Sequence, residues 1–120
     1  MTKLPTVDIK GKDYVLVKDR IIAFNEMYPN GGIVTELLSE PANERIVIKA
    51  TVYPEGTGRS FVGHSQAVIG EGYINKTAAL ENAETSAVGR ALAMMGIGVV
   101  DSIASADEVK KATQSSDVAF

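Results

Sequence analysis

The chain has 120 residues, 45% hydrophobic and 22% charged, with a formal net charge of −3, one histidine and no cysteine. That length supports one core, not two, and the absence of cysteine excludes disulfides, zinc–thiolate centres and a cysteine nucleophile. The acidic balance argues against a globally basic duplex-DNA binder. Even so, Met1–Arg20 carries five basic against three acidic residues, and a local patch acts whatever the net sign.

No apolar run approaches the roughly 20 residues of a membrane span, and Met1–Lys12 lacks the apolar stretch of a secretory signal. A soluble cytoplasmic protein is expected. In chain order, the first pattern is Asp13 to Tyr28, where Val17, Ile21, Phe24 and Tyr28 recur at helical spacing. Asp13 is placed as the N-cap, and Pro29-Asn30-Gly31-Gly32 as the stop. Three short segments rich in β-branched residues follow, Ile33–Ser39, Arg45–Tyr53 and Ser60–Ile69, read as an antiparallel meander. In the middle segment Ile46, Ile48, Ala50 and Val52 share one face, assigned to the core, and Val47, Lys49, Thr51 and Tyr53 the other.

A long helix is expected from Asn75 or Thr77, either of which can cap it, to Met95, with Gly96 as the residue just past its end. Six alanines and Gly89 make its inner face shallow, which suits close packing on its own sheet or on a second copy. Ile97–Val100 is a candidate short strand. Ser105 and Glu108 have capping-box spacing, so a brief helix is expected over Ala106–Ala112, before a polar tail from Thr113.

Little in the sequence points to catalysis. His64 falls within an expected strand, where the plain reading is a half-exposed histidine and the alternative a polar or stacking contact on a ligand face. Glu81 and Glu84 are read as surface carboxylates pairing with Lys76, Lys18 or Arg90, not as a metal or acid–base pair. The glycine-rich spots have neither P-loop nor dinucleotide spacing. No catalytic residue, metal or cofactor is assigned.

A binding platform is the one constellation with chemistry in it. If Tyr53 pairs with Arg59 across a five-residue turn, Thr51 faces Phe61, and Lys49, Tyr53, Arg59 and Phe61 share the face opposite the core. Two aromatics interleaved with two cations suit base stacking and phosphate contact, and stacking is worth about 1–3 kcal/mol per base. A one-residue slip instead moves Phe61 to the core side. Lys3, Lys10, Lys12, Lys18 and Arg20 either extend this groove or simply solubilise the chain.

The segments Ile74-Asn75-Lys76-Thr77 and Glu81-Asn82-Ala83-Glu84-Thr85-Ser86-Ala87-Val88-Gly89-Arg90-Ala91-Leu92 carry a resemblance. Tyr28-Pro29, Lys49-Ala50 and Ser102-Ile103-Ala104-Ser105 add to it. Over roughly Tyr14 to Val109 the chain resembles phage single-stranded DNA-binding proteins encoded beside single-strand annealing proteins. The resemblance implies a variant oligonucleotide-binding (OB) barrel, sequence-independent binding of single strands, dimerisation, and a role in phage replication and recombination in the host cytoplasm. The signature adds Lys76 and Arg90 to the candidate DNA-binding set Lys49, Tyr53, Arg59 and Phe61. Arg90 is either held by partners on the Glu84 side or free to contact phosphate. An OB barrel has five strands, and the sequence shows three clear ones and a possible fourth. A three-stranded sheet backed by a long helix, as in annealing proteins, is the alternative.

The expectation is therefore a non-enzymatic α+β protein: a small antiparallel sheet or partial barrel of OB type, an N-terminal helix, and a long alanine-rich helix after the third strand. Residues 1–112 form one domain and 113–120 a polar tail. Its end, Ser115-Ser116-Asp117-Val118-Ala119-Phe120, resembles tails with which bacterial single-stranded DNA-binding proteins recruit partners. Expected partners are single-stranded DNA, a second copy, and a recombinase or annealing protein, with no membrane. The alternatives are a single-strand annealing protein, or an adaptor of the recombination machinery that binds no DNA.

Overall fold

The computed structural model describes residues 3–39, 44–69 and 76–110, with Lys76 and Thr77 described by backbone alone. The chain opens with a hairpin of β1 (Val7–Ile9) and β2 (Lys12–Tyr14), turned at Lys10 and Gly11, whose φ angles are 53° and 86°. Helix α1 therefore begins at Val17, not Asp13. Asp13 belongs to β2, where its amide donates to Asp101 Oδ2 at 2.8 Å. Leu16, the residue before the helix, offers no capping side chain. The cap comes from far along the chain: Asp107 Oδ2 accepts from the Val17 amide at 2.8 Å, satisfying one of the orphan donors and placing negative charge at the positive helix end.

After α1 (Val17–Met27) come β3 (Gly32–Leu37), β4 (Arg45–Tyr53) and β5 (Phe61–Val68), an antiparallel meander in the order β3-β4-β5. The expected three strands are present within one or two residues of their expected ends. Ile46, Ile48, Ala50 and Val52 are buried, as the alternation predicted. Ile97–Val100 adds no strand; it lies in turn and bend. Among the described residues the sheet is open, with β3 and β5 as its edges, so the strand pairing is that of the open-sheet alternative and not of a closed OB barrel.

Helix α2 (Lys76–Met94) covers β4 and β5 with Ala79, Ala83, Ala87 and Ala91, all buried. Its end is as expected: Gly96 donates to Ala93 O at 2.8 Å and Ile97 to Leu92 O at 3.1 Å, the paired bonds of a Schellman motif, with Ile97 buried beneath. Two glycines set how close the helix lies. A Cβ at Gly63 of β5 would stand 2.5 Å from Ala87 O and 2.8 Å from Arg90 Cβ, and closer still to the Ala91 nitrogen. A Cβ at Gly89 would stand 2.7 Å from Val17 Cγ2 of α1. The shallow face of α2 is thus spent on its own sheet and on α1, the plainer of the two readings.

A third helix, α3 (residues 106–110 of the described chain), is capped by Ser105, whose Oγ accepts from the Glu108 amide at 3.2 Å. The expected capping box is half made, because the Glu108 carboxylate turns instead to Arg90. Arg20 ties these parts together. It is fully buried, and its guanidinium donates from Nη1 to Gly89 O (2.9 Å) and Ile103 O (3.1 Å), and from Nη2 to Gly98 O (3.2 Å) and Ala104 O (3.4 Å). Burial pushes its pKa below the ordinary arginine value, while the Glu108 and Asp107 carboxylates pull the other way. Arg20 is accordingly not part of any exposed cationic groove.

Replacing Arg20 by Ala removes the donors of four carbonyls, Gly89 O fully buried among them, and opens a cavity, and should lower unfolding stability by about 3 kcal/mol or more in urea denaturation. Gly63→Ala should cost about 1–3 kcal/mol by the same measurement, because α2 must lift off β5.

Candidate nucleic-acid interface

The alternation that buries Ile46, Ile48, Ala50 and Val52 under α2 sends Arg45, Val47, Lys49, Thr51 and Tyr53 to the other side of β4. That outer face carries the exposed side chains of Val34, Glu36, Arg45, His64 and Gln66. The register lines up three cross-strand sets there: Tyr53 opposite Gly32; Val34, Thr51 and Val62; and Glu36, Lys49 and His64. Thr51 is buried at the centre between its two valines, whereas Val34 is 49% exposed. Lys49 and Tyr53 are half-buried and lie four residues apart, ~13 Å along the strand.

The pairing of β4 with β5 is one residue away from the register that gathers the whole expected platform. Phe61 stands opposite Val52 and Gly63 opposite Ala50, so Phe61 faces the helix side and is separated from Tyr53. Packing decides this. Only Gly63 has room beneath Ala87 and Ala91; the expected register would put Val62 there and waste the glycine on the outer face. The connection between the strands accordingly runs over Pro54 to Ser60, seven residues and not five.

Arg59, in that connection, stacks its guanidinium 4.7 Å from the centre of the Phe61 ring. Arg90 is exposed on the flank of α2, with its Cβ against Gly63, so it shares the helix side with Phe61. Its Nε lies 3.4 Å from Glu108 Oε2. The partner is therefore on α3 and not on the Glu84 side, because Glu84 accepts from Thr35 Oγ1 at 2.7 Å on the opposite flank. Lys76 begins α2, and its side chain lies outside the described residues, as do Asn75 and the tail from Thr113. The six expected residues thus divide: Lys49 and Tyr53 on the outer face, Arg59, Phe61 and Arg90 along the helix side of β5, and Lys76 without a described side chain.

His64 belongs with the outer pair, exposed and directly opposite Lys49. The register, which no local pattern states, is what brings it there. Elsewhere, an apolar cleft of about 420 Å³ between α1 and the N-terminal segment is lined by Leu4, Ile22, Met27 and Ile97. Among the described residues no three His, Cys, Asp or Glu side chains gather as a metal site would require, and no helix is long and apolar enough to cross a membrane.

The unit that carries these surfaces is a helix, three antiparallel strands and a second helix packed to one side of the sheet. The chain matches the family described as Slr1353 N-terminal dsRNA-binding domain-like over residues 21–95, from within α1 to the end of α2. That is more than half of the chain, and the chain belongs to this family. No curated protein and no solved structure matches it. The family description names neither a phage role nor single strands.

The Arg90–Glu108 contact should contribute little, because the Arg90 side chain is 46% exposed and water screens it. A double-mutant cycle with Arg90→Ala and Glu108→Ala should give a coupling below about 1 kcal/mol.

Proposed function

We propose that this domain binds single-stranded DNA without sequence preference through the outer face of its sheet. It would act as a non-enzymatic coating protein in phage replication and recombination in the host cytoplasm. The observation that carries the reading is that Tyr53 and Lys49 share the outer face of β4. An aromatic ring there offers a stacking surface that accepts any base, and the ammonium four residues along the same strand neutralises phosphate and releases counterions. A negative net charge is compatible with this, since both groups act locally. Arg59, Phe61 and Arg90 form a second basic and aromatic strip on the far side of β5, reached by a strand that rounds that edge. Dimerisation and recruitment of a recombinase or annealing protein belong to the same proposal. The alanine face of α2 is not the dimer surface, because it is buried on the sheet.

The family description supports a second reading, duplex RNA. A duplex is read by shape across grooves, with a footprint of about 16 base pairs, and calls for cations spread over helices and loops. A flat face with one stacking ring suits unstacked bases better. The third reading, an adaptor that binds no nucleic acid, rests on no feature of this surface.

Fluorescence-anisotropy titration of labelled oligo-dT, with duplex RNA and duplex DNA as competitors at two salt concentrations, separates these readings. The expected result is salt-sensitive binding that neither duplex displaces. Strand pairing of complementary oligonucleotides in the same mixture would mark an annealing protein. Preference for duplex RNA would overturn the single-strand reading, and no binding to any of them would leave the adaptor. Tyr53→Leu, which keeps apolar bulk and removes the ring, should weaken oligo-dT binding by about 5- to 150-fold, and Tyr53→Phe should not.

A further inference from the structure

His64 stands in the middle of β5, exposed, on the outer face of the sheet. Lys49 of β4 is its cross-strand partner, and Glu36 of β3 lies one strand further on. On its own strand the outward neighbours are Val62 and Gln66, both uncharged, and among the described residues β5 is an edge of the sheet with no strand beyond it. Side chains directly opposite each other in an antiparallel pair have Cβ atoms ~5 Å apart, close enough for an ammonium and an imidazole to hold one phosphate together. We propose that His64 is a second phosphate contact beside Lys49 and that its protonation couples strand binding to pH.

The inference rests on the single-strand reading and adds to it a proton-linked cation. Imidazole is the side chain whose ordinary titration range lies near neutral pH, and only its protonated form is a cation that can neutralise phosphate. A bound phosphate within ~4–6 Å favours that charged form. A group whose pKa is higher in the complex than in the free protein strengthens binding fully below the free value. The gain is lost as pH rises through the bound value. The gain is therefore present at acidic pH and lost through the neutral range, and each pH unit by which phosphate favours the protonated form corresponds to a tenfold change in affinity. His64 is the chain's only histidine, so no other side chain has an ordinary pKa in that window.

The test is the affinity for labelled oligo-dT at about pH 5.5 and about pH 8, each over a salt series. The wild-type protein should bind about tenfold more tightly at the lower pH. The slope of log affinity against log salt should be steeper there by about 0.7, one more phosphate neutralised on a single strand. His64→Gln should bind at both pH values as the wild type does at the higher one. His64→Lys should hold the low-pH affinity and slope throughout. Wild-type affinity that is the same at both pH values, or a pH dependence that survives His64→Gln, overturns the inference while leaving single-strand binding in place. Failure of the wild-type protein to bind oligo-dT at either pH overturns the single-strand reading and this inference with it.

Discussion

Burying a guanidinium is costly unless its donors find acceptors, and the arrangement around Arg20 meets that requirement at both terminal nitrogens, while Nε is buried without a partner. Its two terminal nitrogens reach four backbone carbonyls, from Gly89 inside α2, Gly98 in the turn that follows, and Ile103 and Ala104 ahead of α3. These groups come from three stretches of chain that share no strand or helix hydrogen bonds. A planar donor fork bridges them where a hydrophobic side chain would leave the carbonyls unsatisfied. The Asp107 and Glu108 carboxylates offset part of the desolvation, and both also act elsewhere, Asp107 as the cap of α1 and Glu108 as the partner of Arg90. One residue of α1 thereby ties α2, the turn that follows it and the segment ahead of α3 to one another.

Small residues set the thickness of what Arg20 holds together. Gly89 lets α1 press on α2, and Gly63 with the alanine stripe lets α2 press on β4 and β5. The shortest dimension of the molecule is 16 Å, two layers of backbone. Close packing gains dispersion contacts without large side chains, which is how a domain with few aromatics fills its core. Helix α2 covers one face of the sheet, and on the other the described side chains Val34, Glu36, His64 and Gln66 are exposed. That face is flat and of mixed character, with valines and a buried threonine at its centre and Tyr53, Lys49 and His64 around them. A surface of this kind suits an extended polyanion with exposed bases better than a compact ligand, which needs a concave site.

The charge distribution follows the same division. Cations that look alike in the sequence have different physical roles once folded: Arg20 is structural and wholly desolvated, Arg59 lies on a phenylalanine ring, Arg90 meets a carboxylate, and Lys49 sits on the outer face. The negative net charge therefore says little about where a phosphate can settle. Lys18, beside Asp19 at 3.4 Å with 72% of its side chain exposed, shows the ordinary solvated case.

Local patterns were enough for much of the architecture. Period-two alternation placed β3, β4 and β5 and chose the core face of β4, because that choice depends on neighbours two residues away. Gly96 marked the end of α2, and Ser105 the start of α3, because capping is settled within one turn of helix. An α+β chain with a three-stranded meander and a long alanine-rich helix was thus legible from local residue patterns. The alternation also put Lys49 and Tyr53 on the face away from the core. Tertiary structure decided the rest. It set the β4–β5 register, through the one place where α2 can touch the sheet, and so took Phe61 away from Tyr53 and set His64 beside Lys49. It turned the expected first turn of α1 into a hairpin and moved its cap to Asp107, 90 residues along the chain. It buried Arg20, whose acceptors are carbonyls that any residue could supply. These outcomes depend on contacts between distant segments, and the free energy of such contacts has no periodicity that a single chain displays.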